Sequence, residues 1–177
     1  VIAMTPEEIR TLYDFNSWAN HRTLEACAQL TPQQFLRDIR SSFRSVRDTL
    51  AHILEAERIW LQRFEGRSAS VPVLLDAAQF ADLKSLRTRW ARTEAGLARF
   101  LRGLTQADLD RVIEYKTTKG VLCREPLWQP LLHLVNHGTY HRGQITTLLR
   151  QLGAQPAVLD MINFFRERNA AAGAAVA

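Results

Sequence analysis

Three histidines, His133, His137 and His141, follow one another at steps of four. A step of four on an α-helix overshoots one turn by only ~40° and rises ~6 Å, so all three fall on one stripe. Leu134, Ile145, Leu148 and Leu152 line the adjoining sector, which sets the stripe at the border of a buried face. Imidazoles at i and i+4 converge from successive turns and can share one metal ion. Three in a row cannot. His133 and His141 are ~12 Å apart along the axis, whereas a first-row ion needs each nitrogen at ~2.0–2.1 Å. The candidate pairs are His133/His137 and His137/His141, and spacing alone leaves both open.

Two more polar residues interrupt an earlier apolar arc. Phe43, Val46, Leu50, Ile53, Leu54, Trp60, Leu61 and Phe64 mark the buried side of a helix expected from about Phe43 to Glu65, with Gly66 as its stop. His52 stands at the edge of that arc and Glu57 near its centre. An unpaired carboxylate there is expensive, so Glu57 calls for a partner, either an arginine of a neighbouring helix or a metal.

The elements that must position these side chains are mostly helical. Thr5-Pro6-Glu7-Glu8 forms a capping box, and the apolar stripe from Ile9 through Cys27 carries a first helix to about Ala28. Leu30-Thr31-Pro32 restarts a short helical turn expected to end near Ser41-Ser42. Residues 67–78 show no period and read as a connection. A third long helix follows from about Phe80 to Leu104, then a capped turn at Thr105–Leu109. Val112–Thr117 and Val121–Arg124 flank Lys119-Gly120 as a short hairpin. The histidine stretch is the last long helix, and Gly153 stops it. Pro126 suits its first turn, but Pro130 removes an amide, so the helix either starts nearer Leu127 and bends or begins at about Gln129. A short helix at Leu159–Arg166 precedes an Ala-rich tail, residues 169–177, expected to be flexible. The fold class is therefore all-α: a single four-helix-bundle domain over residues 4–168, with a hairpin in the crossover before the last long helix. Bundles place metal sites in their cores, on side chains from facing helices.

Composition narrows the class. A chain of 177 residues, 46% hydrophobic and 23% charged, can bury a substantial core. No apolar run approaches the ~18 residues of a membrane span, and no signal-peptide pattern opens the chain. Met4 reads as the natural initiator, after Val1-Ile2-Ala3. Cys27 and Cys123 are the only cysteines, too few for a disulfide framework, and a cytoplasmic setting is expected. The net charge of +5 raises the question of nucleic acid, with Arg37, Arg40, Arg44 and Arg47 recurring at three-to-four spacing. No recognition motif or interleaved aromatic accompanies them, so they read as a solvated basic face, with no nucleic-acid partner.

Nearly the whole chain resembles the DinB-like (DinB/YfiT) family of proposed metalloenzymes. The marks are Tyr13 and Trp18-Ala19-Asn20 with Arg22, then Ser41-Ser42-Phe43 leading to Leu50-Ala51-His52-Ile53-Leu54 and Ala56-Glu57. Tyr115 and Thr118-Lys119-Gly120 follow, and Pro126-Leu127-Trp128-Gln129, His133, Asn136-His137-Gly138-Thr139 and His141-Arg142-Gly143-Gln144 are the most specific. The resemblance implies a four-helix bundle with a three-histidine site whose ligands are His52, His137 and His141. His133, one turn before the site, and Gln144, one turn after, become residues that support a ligand or line the pocket. Tyr140 stands where relatives commonly carry another histidine, and Pro130 where they carry an aliphatic residue. A homodimer is also implied.

Three neutral imidazoles leave a divalent ion with at least one open position, the pattern of a catalytic site. Zinc and nickel both accept imidazole. Such an ion lowers the pKa of bound water or holds a thiolate reactive. The family's thiol-dependent members imply a transferase or isomerase using a low-molecular-weight thiol such as bacillithiol or mycothiol, and water attack would make it a hydrolase. The alternative is a stress-response module that binds metal or ligand without turnover. No residue of the chain is singled out as catalytic beyond the ligands.

Overall fold

The Thr5 hydroxyl accepts the Glu8 amide at 3.2 Å while the Glu8 carboxylate accepts the Thr5 amide at 2.8 Å, so the encoded capping box starts α1, Pro6–Cys27. The structure is a computed structural model describing residues 4–67 and 72–174. Val1–Ala3, part of the expected connection (68–71) and the last three residues of the Ala-rich tail lie outside the described residues.

A second capping box at Thr31 starts α2, Pro32–Leu36, which is shorter than expected. Residues 37–45 are not helical, and Arg40 takes a left-handed φ of 54°. Ser45 then caps α3, Val46–Phe64, accepting the Asp48 amide at 3.1 Å, so the expected start at Phe43 moves to Val46. One consequence concerns the arginines. With Arg37, Arg40 and Arg44 outside any helix, their spacing makes no stripe; Arg44 faces Asp38 at 3.7 Å and Arg47 pairs with Asp48 at 2.9 Å.

After a 3₁₀ turn at Ala77–Gln79, Asp82 caps α4, Leu83–Arg102, and Thr105 caps α5, Gln106–Asp110. β1, Val112–Lys116, pairs antiparallel with β2, Leu122–Pro126, through a turn where Gly120 holds φ 80°. α6 spans Trp128–Gln151. Pro130 is its third residue, and the first helical amide to bond is Leu131, to the Leu127 carbonyl at 3.2 Å. The proline thus sits where amides have no intrahelical partner anyway, and the choice between a bend and a later start does not arise. Gly153, at φ 76°, ends α6 with bonds from Ala154 to Leu149 and from Gly153 to Arg150, at 2.9 and 3.1 Å. α7 runs Met161–Ala174, past the expected end at Arg166, because alanine is the strongest helix former.

The four long helices form a ring in which α1 and α3 each pack against both α4 and α6, with the hairpin on α3 and α6 and α7 on α1. The apolar core falls into two bodies. One gathers Ile9, Phe15, Trp60, Phe64, Leu131 and Leu134 toward the hairpin; the other gathers Leu24, Leu50, Leu54, Leu86, Ile145 and Leu148 toward α2. Between them, along α1, α3 and α6 alike, lies a layer of buried polar side chains: Asn16, Asn20, Glu57, His141 and Arg142. No helix among the described residues is long and apolar enough to cross a membrane.

Candidate metal centre

Glu57 is 1% exposed, and its partners are not the expected arginine. Its Oε1 accepts the Asn16 and Asn20 amides, each at 2.8 Å, and its Oε2 accepts the Trp90 indole N–H at 2.8 Å. Arg142 stands on the far side of the two asparagines, donating from Nη1 to both Oδ1 atoms at 2.7 Å. Its Nη2 donates to Thr139 Oγ1 at 3.0 Å. Each asparagine therefore gives at one end and accepts at the other, relaying between a carboxylate and a guanidinium. Burial pushes the Glu57 carboxyl up, and the amide bonds and Arg142 pull the other way. Burial brings Arg142 down to about 10, opposed by Glu57. The network draws on all four long helices.

Five residues before Glu57, His52 leaves α3 toward α6. Its Nε2 lies 3.1 Å from His137 Nε2, and one nitrogen from each of His52, His137 and His141 falls within 4.8 Å of the others. Two nitrogens on one first-row ion lie at most ~4.2 Å apart, so a small side-chain rotation brings the three to ligand geometry. His141 Nδ1 lies 2.8 Å from Gln144 Oε1. Because that oxygen only accepts, the proton is on Nδ1 and the Nε2 lone pair is free. His137 Nδ1 is buried without a hydrogen-bond partner among the described residues. Burial, with His141 beside it, brings the His52 imidazole down to about 4. Burial and then the surrounding His141, His52, His133 and Arg142 bring His137 to about 3. Both are neutral at pH 7, as a ligand must be. The donor set fits a divalent ion that accepts imidazole.

His133 is not in that triangle. It is solvent-exposed, its ring 5.8 Å from His137 and 5.5 Å from Trp60. His21 lies elsewhere, 3.0 Å from Glu94. Gln144 reaches back to Ser42 Oγ at 3.4 Å as well as to His141. Phe43, outside α3, stacks on His52 at 4.2 Å and meets His141 edge-on at 5.5 Å, covering the site from the loop. Tyr140 is 64% exposed with its ring against His141, so this departure alters the rim and leaves the triangle intact. A cavity of about 450 Å³ opens beside the histidines, lined by His52, His137, Trp60, Arg63, Tyr115 and Thr117 among others.

Sequence reasoning did not assign Asn16, Trp90, Phe43 or Arg63 to the site. Asn16 and Asn20 carried the one available signal: two amides at i and i+4 inside an apolar stripe. Trp90 looked like any core aromatic, and only the position of Glu57 gives its N–H a task.

Comparison with known proteins is consistent across sequence and fold. The model for the DinB family matches residues 4–170. Protein DinB of Bacillus subtilis (strain 168) is 27% identical over 154 residues, covering 84% of this chain and 88% of that protein. The uncharacterized protein YizA of the same organism is 23% identical over 150 residues, covering 85% and 91%. A crystal structure of a DinB-like protein from Bacillus cereus ATCC 10987 superposes with a TM-score of 0.70 at 20% identity, covering 89% of this chain and 99% of that one. At that identity the likeness concerns the fold alone.

Proposed function

Since the chain belongs to the DinB family, we propose that His52, His137 and His141 hold one divalent metal ion, zinc or nickel. We propose further that the protein is a metal-dependent transferase or isomerase with a low-molecular-weight thiol as cosubstrate. The convergence of one nitrogen from each histidine within 4.8 Å carries this reading. Three neutral ligands leave the ion its full charge and an open position, and such an ion keeps a bound thiolate ionised at neutral pH.

The chain's own residues do the rest. Gln144 fixes the His141 tautomer, Phe43 shields the ligands from water, and the cavity beside His52 and His137 has the size of a small-molecule site. The nucleophile comes from outside. Cys27 is buried, with its thiol pushed up to about 12 by that burial, and it lies on the α2 side of the core.

Metal analysis of purified variants tests the assignment. His52→Ala, His137→Ala and His141→Ala should each lose the ion, while His133→Ala and His21→Ala retain it. A full site in His141→Ala and an empty one in His133→Ala would refute the triad. With metal bound, the protein should accelerate thiol attack on a haloarene, and the Cys27/Cys123 double alanine variant should match the parent. Loaded protein inert toward thiol transfer and toward ester or amide hydrolysis would identify a binding module instead.

A further inference from the structure

Among the described residues, Arg63 is the one lysine or arginine in the wall of the cavity beside the histidines, and it is 7% exposed. Buried guanidinium groups are ordinarily paired with a carboxylate. This one is not. Among the described residues no acid forms an ion pair with it. Its Nη2 donates to the Lys116 carbonyl at 2.8 Å, and its Nε is buried without a partner among the described residues. Glu55, in the same wall, is already engaged with Arg58 at 3.5 Å and with the Leu75 amide. Glu125 on β2 is near enough to bear on the charge but does not pair with it.

The guanidinium is also held rigidly. Trp60 and Tyr115, set edge-to-face with centroids 4.9 Å apart, flank it on one side, with Cζ 4.4 and 4.5 Å from their ring centroids. Thr117 and Thr118 of the hairpin line the same cavity with their hydroxyls, and so does Tyr115, whose hydroxyl bonds the Glu125 carboxylate. A fixed cation with unspent donors, hydroxyls around it and an aromatic floor is the chemistry that receives a planar anion. His52, His133 and His137 line the same cavity.

We propose that Arg63 and the hairpin hydroxyls form a carboxylate-binding subsite, so that the cavity selects an anionic substrate whose carboxylate sits on Arg63 while its reacting end reaches the histidine centre. The proposal deepens the metal reading and rests on it for the reacting end only. The carboxylate can belong to the thiol or to its electrophilic partner.

The test follows the Trp60 indole signal by NMR while zinc-loaded protein is titrated with propionate and with its uncharged amide. The acid should bind about 10-fold more tightly, the worth of a charge-assisted hydrogen bond. Arg63→Gln should erase that preference, and Arg63→Lys should restore part of it. Equal affinities for acid and amide in the parent protein overturn the proposal, and that comparison needs no variant to fold. Propionate added to protein holding 2-mercaptoethanol or the carboxylate-bearing thiol glutathione separates the two sources. Exclusion by glutathione alone assigns the carboxylate to the thiol, and binding alongside both assigns it to the electrophile. Metal-free protein should still shift its Trp60 signal with propionate, and Arg63→Gln should not. A protein that takes no zinc but shows this shift loses the metal reading and keeps the subsite; one that binds zinc and ignores the carboxylate does the reverse.

Discussion

Among the described residues, Glu57 accepts three hydrogen bonds and pairs with no cation directly. Its negative charge reaches Arg142 only through Asn16 and Asn20, so removing the carboxylate strands two amides, an indole N–H and, one step further, a buried guanidinium. Glu57→Ala should therefore destabilise by about 3 kcal/mol or more, read as a lowered denaturant midpoint. An unchanged midpoint would mean that water replaces the carboxylate without loss. Ionisation gives a second readout. The folded pKa lies above the ordinary 4.5, so the folded chain holds this proton to higher pH than the unfolded chain does. The stabilisation from that proton is complete below 4.5 and is lost as pH rises through the folded value. Glu57→Gln turns an amide nitrogen toward a donor and is weaker throughout. It should also lack that pH-dependent loss, so the gap between parent and variant narrows as pH rises above 4.5. Parallel stability curves would show that Glu57 titrates normally.

α6 carries most of this chemistry on one face, and Gly138 is where that face is tightest. A Cβ at Gly138 would lie 2.8 Å from both Arg142 Nη1 and Asn16 Oδ1, two atoms already fixed by the network. Gly138→Ala should cost about 1–3 kcal/mol despite the better helix propensity of alanine. Gly143→Ala on the same helix meets nothing within 4 Å and should gain about 0.5–1 kcal/mol, so urea midpoints of the pair isolate the packing term. The same helix shows what the sequence discloses. Its period and its Gly153 stop are local, as are the capping box at Thr5 and the short helical turns begun at Thr31 and Thr105, and each was legible as residue types at fixed spacing. The pair that converges with His52 was not. His133/His137 and His137/His141 have identical spacing, and the choice depends on where α3 brings His52, which is a matter of packing between distant segments. Family resemblance, not periodicity, pointed to the second pair. Phe43 was misplaced onto α3 because its apolar character continued the helical arc, whereas Ser45 caps the helix two residues later. Arg63 and Trp90 stayed silent because a basic or aromatic residue on an amphipathic helix has no distinctive spacing.

Across the molecule, the polar layer divides the core into two apolar bodies, and the histidine triangle lies at that level, joining α3 to α6. Such a layer contributes little net stability, since its charges must be desolvated. Its geometry instead ties the four long helices to one register, because sliding any helix by a turn would bury Glu57 or Arg142 without its partners. An ion at the triangle would add a cross-link at the level where apolar packing is interrupted. Metal bound only by the folded chain stabilises it by about 4 kcal/mol at a thousandfold excess over Kd. For a domain of this size that raises Tm by roughly 8–16 °C. Thermal unfolding of chelator-treated protein, with and without added zinc or nickel, should show this rise. The Arg63→Gln variant should show it too, since that residue is no ligand, and His137→Ala should not. A parent protein whose Tm ignores both chelator and metal would mean that the three imidazoles converge only as hydrogen-bonding neighbours. Their neutrality would then serve packing of α3 against α6, and the open face of the triangle would have no ion to present to the cavity.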